Sequence, residues 1–114
     1  MPSPSGSEPL RGSVDLLILR ALELEPSHGW AISNRIQELS QGVLEMNQGS
    51  LYPALQRLEQ KGWIRASWQQ LEEMNRRARV YALTARGQRE LARETESWRR
   101  YARAMKRVLA AERV

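Results

Sequence analysis

The sequence predicts a mainly α fold with one small two-stranded β element, and three observations carry that expectation. Apolar residues recur at helical spacing in four separate stretches, and they alternate with polar residues in one short stretch. Proline or glycine separates the first three helical stretches. Residues 47–69, NQGSLYPALQRLEQKGWIRASWQ, hold the switch from the helical to the alternating pattern.

The first helix is expected from about Gly12 to Leu24, where Val14, Leu17, Ile18, Ala21 and Leu22 follow the i, i+3, i+4, i+7, i+8 stripe of a buried face. Leu16 and Leu19 widen that stripe beyond what one neighbour covers, so part of the helix is expected against another subunit. Pro26 ends it. A second helix starts near Ser27 as N-cap, turns Trp30 or Ala31, Ile32, Ile36 and Leu39 inward, and stops before Gly42. After an extended link over 43–46, Asn47 is the candidate N-cap of a third helix.

On that third helix Leu51, Ala54, Leu55 and Leu58 crowd one side, while Gly49, Pro53, Gln56 and Gln60 centre the other. Ser50, Tyr52 and Arg57 flank the second side, giving a polar ridge with no bulky side chain at its middle. A ridge of that shape suits a major groove about 12 Å wide, where base edges display donors and acceptors. Pro53 removes a backbone donor six residues past the cap, so the helix is expected to bend there or to start effectively at Ser50.

Gly62 closes the third helix as its C′ residue. From Trp63 to Gln69 the chain alternates, with Ile64, Ala66 and Trp68 on the expected inner face, and Arg79 to Leu83 is its expected partner strand. Leu71 to Ala78 is then a projecting basic loop with Arg76 and Arg77 near its tip. Three helices followed by a two-stranded basic ribbon is the order of a winged helix-turn-helix.

Thr84 caps a last helix running to about Ala111, on which Leu91, Thr95, Trp98, Ala102, Met105 and Leu109 alternate at spacings of four and three. The small domain has no core left to cover such a seam. A second chain is therefore expected to cover it, and the expected organisation is a flexible leader over 1–11, a DNA-binding domain over 12–84 and a dimerisation helix over 85–114.

Composition narrows the function classes. A chain of 114 residues is one domain by length. With no cysteine, disulfides, thiolate zinc sites and a cysteine nucleophile are all excluded. His28 stands alone, so a structural role at the start of the second helix is expected and no metal. No phosphate-binding glycine loop, paired helix-borne histidines or Gly-x-Ser-x-Gly elbow is present, which argues against an enzyme and for no cofactor. The apolar run from Val14 to Leu24 is broken by Asp15, Arg20 and Glu23, and the first nine residues lack a secretory signal, so no membrane partner and a cytoplasmic location are expected. Charge is uneven: nine basic and nine acidic groups cancel over residues 1–83, and nine against four over 84–114 supply the whole net +5.

The stretches HGWAISNRI, NQGSLYPALQRLEQKGWI and RRARVYALTARG resemble the PadR family of bacterial transcriptional regulators over about residues 12–92. GSLYPALQRLEQKGWI is the most specific of them, and the short branch with a single C-terminal helix is the most similar. The resemblance implies a homodimeric repressor whose third helix enters the major groove, whose wing touches flanking backbone and whose last helix makes the dimer. It sets Ser50, Leu51, Tyr52 and Pro53 at the front of the recognition helix and Arg76 and Arg77 in the wing. It also implies a lesser role for Trp98, stacking a small planar aromatic effector near the dimer interface.

The expected DNA-contacting residues are thus Asn47, Gln48, Ser50, Leu51, Tyr52, Pro53, Gln56, Arg57, Arg76 and Arg77. Leu16, Leu19, Leu91, Trp98, Ala102, Met105 and Leu109 are the expected dimer contacts. Double-stranded DNA and a second copy of the chain are the expected partners; the competing classes are a winged-helix protein-interaction module and a small-molecule sensor with secondary DNA binding.

Overall fold

Pro26 decides where the first helix stops. A residue before proline is driven to extended backbone, and Glu25 has φ −168° and ψ 134°, so α1 spans Val14–Leu24. The computed structural model describes residues 12–113, and the leader expected over 1–11 lies outside them. α2 spans Gly29–Leu39, α3 Gln48–Gln60 and α4 Ala85–Ala110.

The third helix begins as its cap dictates. Asn47 is extended, and its side-chain oxygen accepts from the Ser50 N–H at 2.9 Å, so α3 starts at Gln48 rather than at Ser50. Pro53 sits inside the helix. At the far end the Gly62 N–H donates to the Glu59 carbonyl and the Trp63 N–H to the Leu58 carbonyl, the paired bonds of a Schellman closure. α2 is capped one residue later than its composition suggests: His28 is the N-cap, its Nδ1 accepting from the Ala31 N–H at 3.4 Å.

Ser27 is displaced from that role because it belongs to a strand. β1 (Ser27–His28) pairs with β3 (Arg76–Leu83), which also pairs with β2 (Ile64–Leu71), so the sheet is three-stranded and antiparallel in the order β1-β3-β2. This corrects the two-stranded expectation. Arg35 locks the junction, donating to the Ala21 carbonyl, the Ser27 hydroxyl and the Glu25 carboxylate at 2.9–3.1 Å.

The basic loop is also corrected. β2 and β3 stay in register to their tips, where Leu71 faces Arg76 and Gln70 faces Arg77, leaving only residues 72–75 as a connection. Asn75 turns the corner in the left-handed region, φ 49° and ψ 41°. Arg76 and Arg77 are therefore strand residues near the end of the ribbon.

The core lies where α1, α2 and α3 meet the root of the ribbon. Ile18, Leu19, Ile32, Leu51, Leu55, Leu58 and Ile64 are its largest fully buried side chains, each stabilising the fold by about 1.5–3 kcal/mol. Leu19 is 0% exposed and Leu91 3%, so both pack inside their own protomer and neither is left for a dimer seam. Leu39 and Trp68, expected inward, are exposed, and of the alternatives Trp30 and Ala31 it is Trp30 that is exposed while Ala31 is half-buried. In each case the helix or strand turns that position past the edge of a core already filled by Ile32, Ile36 and Ile64.

Candidate nucleic-acid interface

α3 presents the polar ridge its sequence describes. Leu51, Ala54, Leu55 and Leu58 are buried, while Asn47, Gln48, Gly49, Tyr52, Pro53, Gln56 and Arg57 are exposed and Ser50 is half-buried. Leu51 is a correction: at 0% exposure its side chain fills the core beneath the ridge and has no surface with which to contact DNA.

Tyr52 owes its position to α2. A β-carbon at Gly29 would lie 2.8 Å from the Tyr52 hydroxyl, so the phenol rests against the start of α2 only because residue 29 lacks one. From there a groove of about 470 Å³ runs between α3 and β3, lined by Tyr52, Gln56, Glu59, Gln60, Arg79 and Tyr81. Burial raises the pKa of the Tyr81 phenol, which stays protonated under neutral conditions.

The electrostatics of this face are more balanced than a count of arginines suggests. Arg57 donates to Asp15 of α1 at 2.6 Å, and Arg79 donates to Glu59 at 2.7 Å. Lys61 lies over the Trp63 ring, 4.5 Å from its centroid. Arg76 and Arg77 are exposed on the ribbon and make no ion pair among the described residues. Glu59 and Tyr81 were missed from sequence. Glu59 lies three residues after Gln56 and so on the same side of α3, a spacing that could have revealed it.

A second surface lies on α4. Thr84 caps the helix by accepting from the Gly87 N–H at 3.0 Å, and its hydroxyl lies 2.7 Å from the Gly62 carbonyl and 3.0 Å from that of Trp63. Beyond Leu91 the apolar residues run out into solvent: Trp98, Tyr101, Met105, Val108 and Leu109 are exposed, Leu109 at 77%. Tyr101 and Val108 belong to this stripe although the expected seam omits them. The Trp98 and Tyr101 rings lie 5.9 Å apart, tilted by 35°, beside a cleft of about 490 Å³ that also reaches Gly12, Ser13 and Leu16 of the α1 end.

No group of three or more His, Cys, Asp or Glu side chains among the described residues is arranged to hold a metal ion. No described helix is long and apolar enough to cross a membrane.

The sequence profile of the transcriptional regulator PadR-like family matches residues 18–93, which include α2, α3 and the whole ribbon. The chain belongs to the PadR-like family. A transcriptional regulator from Clostridium thermocellum is 28% identical, covers 86% of this chain and 94% of its own, and superposes with a TM-score of 0.77. A PadR family transcription regulator from Clostridium difficile R20291 is 27% identical, with 87% and 100% coverage and a TM-score of 0.75. A 37.1 kDa protein in transposon TN4556 of Streptomyces fradiae is 42% identical over 85 residues, 75% of this chain and 23% of that protein. This chain thus spans about a quarter of that relative's length. Membership in the PadR-like family makes the chain a DNA-binding transcriptional regulator with a winged helix and not an enzyme.

Proposed function

We propose that the chain is a homodimeric repressor that sets two copies of α3 into successive major grooves of a pseudo-palindromic operator, roughly 34 Å apart. The observation that carries this reading is the exposed ridge of Gly49, Pro53 and Gln56 beside a ribbon whose Arg76 and Arg77 make no ion pair among the described residues. Residues 12–84 act as the DNA-reading unit. Asn47, Gln48, Ser50, Tyr52 and Gln56 offer donors and acceptors to base edges and sugars, Pro53 lets the ridge approach closely, Arg57 exchanges Asp15 for phosphate, and the ribbon arginines grip flanking backbone.

Residues 85–114 act as the dimerisation element. Trp98, Ala102, Met105 and Leu109, joined by Tyr101, Val108 and the half-exposed Leu16 of α1, form the seam, because an exposed apolar stripe of this size asks for a partner surface. The cleft beside Trp98 favours a further reading in which a flat aromatic effector enters there. An effector that prefers a dimer with a different spacing of α3 releases the operator by shifting the population.

Selection of bound fragments from genomic DNA, repeated with Gln56→Ala and Arg77→Ala, tests the proposal. Gln56→Ala changes which sequences are retained, and Arg77→Ala weakens binding to all of them. Indifference to both changes would sink the placement of the reading surface. A protein-interaction module would instead bind no duplex, and its complexes would lack the steep salt dependence of phosphate contacts.

A further inference from the structure

The chain buries seven large aliphatic side chains completely yet leaves three of its four tryptophans exposed, and two of them, Trp30 at 59% and Trp68 at 60%, lie apart from the α4 stripe. They come from different elements, α2 and β2, and line one cleft of about 310 Å³ together with Tyr52, Met74 and Arg76. An apolar patch with a polar rim marks an interaction surface rather than an accident of packing.

The Trp30 side chain is held in place by its surroundings. The His28 ring stacks with that of Trp30 at 6.3 Å between centroids and 11° between planes, while its Nδ1 caps α2. The imidazole that starts the helix therefore also steadies the indole. Trp68 stands across the β2–β3 ladder from Arg79, whose guanidinium is tied to Glu59. The cleft joins the groove beside α3, since Tyr52, Arg79 and Tyr81 line both.

Chemistry selects the occupant. Arg57 and Arg79 are engaged by the chain's own carboxylates, which leaves Arg76 as the cation at this cleft without an ion pair among the described residues. The site is thus a pair of apolar planes with one positive charge beside them. A sugar–phosphate strand matches it, offering an apolar sugar face next to an anion. We propose that Trp30, Tyr52, Trp68 and Arg76 form a strand clamp between recognition helix and ribbon, in which one backbone of the duplex lays its deoxyribose against the indoles and its phosphate on Arg76. The clamp rests on the reading of α3 and the ribbon given above.

Apolar contact with sugar releases no condensed counterions, whereas a phosphate contact does. The test uses the full chain and a duplex retained in the genomic selection, with Kd measured by fluorescence anisotropy across a salt series. Trp30→Ala and Trp68→Ala each raise Kd about tenfold and leave the slope of log K against log salt unchanged. Trp68→Phe, which keeps an aromatic plane, recovers most of the loss. Arg76→Ala lowers the slope by about one. Both indoles are exposed, so thermal melting of the variants stays near that of the parent chain.

Wild-type affinity in both tryptophan variants would overturn the clamp and leave the regulator reading standing. A slope that falls with the tryptophans as it does with Arg76 would overturn the sugar contact. Failure of the wild-type chain to bind any duplex in dilute salt would remove the clamp and the reading beneath it together.

Discussion

A β-carbon on Gly87 would lie 1.9 Å from the Trp63 carbonyl oxygen, so the first turn of α4 is pressed directly onto the backbone that closes α3. The colliding atom is main chain and cannot swing aside. Gly87→Ala is expected to destabilise the protein by about 3 kcal/mol, at the upper end for an overpacked site, and thermal or urea unfolding measures it. An unchanged midpoint would show that α4 does not sit against Trp63 in solution.

The Asn47 cap offers a milder and separable test. Its side chain satisfies the Ser50 N–H at the front of α3. Asn47→Ala is expected to cost about 1 kcal/mol of stability, and Asn47→Asp or Asn47→Ser to restore most of it, because either supplies an acceptor oxygen. Restored stability without restored duplex affinity would mark a direct contact of Asn47 with DNA in addition to its capping role.

Asp15 restrains Arg57 on the exposed edge of α3. Asp15→Asn removes the counter-charge while keeping the shape, so duplex affinity is expected to rise about fivefold at low salt, with a steeper salt dependence. The cost is a favourable charge in the first turn of α1, roughly 0.3–1 kcal/mol of stability. Unchanged affinity would mean that Arg57 takes no part in binding.

The proposed seam is tested by charge. Met105 and Leu109 are exposed in the single chain, so Met105→Glu and Leu109→Glu leave protomer folding intact. In the dimer each would bury an unpaired carboxylate, and the monomer–dimer Kd is expected to rise about 100-fold by sedimentation equilibrium. An unaltered equilibrium would remove the outer half of α4 from the interface.

Acid stability has a localised source. The Glu23 carboxylate at the end of α1 accepts from Gln88 of α4 and from Arg20, and these bonds hold its pKa below the usual glutamate value. A depressed folded-state pKa contributes stability that is complete above the ordinary glutamate range and is lost as pH falls through the lowered value. Glu23→Gln is expected to flatten that acid limb by lowering stability at neutral pH, while stability below the lowered value changes little. An identical pH profile in the variant would contradict the link between α1 and α4.

Much of this was legible in the residues. The helices announced themselves because each carries an apolar face whose period is fixed, and Asn47, Gly62 and Thr84 fall at the caps where their chemistry is useful. β1 was not legible, since a strand of two residues is defined by its partner Val80–Tyr81 and carries no pattern of its own. Arg76 and Arg77 read as loop because both faces of the ribbon tip meet solvent, so alternation disappears there. Leu19 and Leu91 were assigned to a partner chain because a helical wheel reports that a face is covered without saying by which molecule. Trp68 failed in the opposite sense, because hydrophobicity alone sends a large ring inward, and between Trp30 and Ala31 the pattern left the choice open. Leu51 followed the family's motif into the reading surface although its own periodicity put it in the core.

The α4 helix of 26 residues is about 39 Å long. A tilt of about 5° at its Thr84 root carries the far end some 3 Å, close to the rise of one base-pair step. In the proposed dimer the tail is thus a gauge rod: small changes in bulk beside Thr84 retune which operator lengths the pair of protomers can straddle, with every base-reading side chain left as it is.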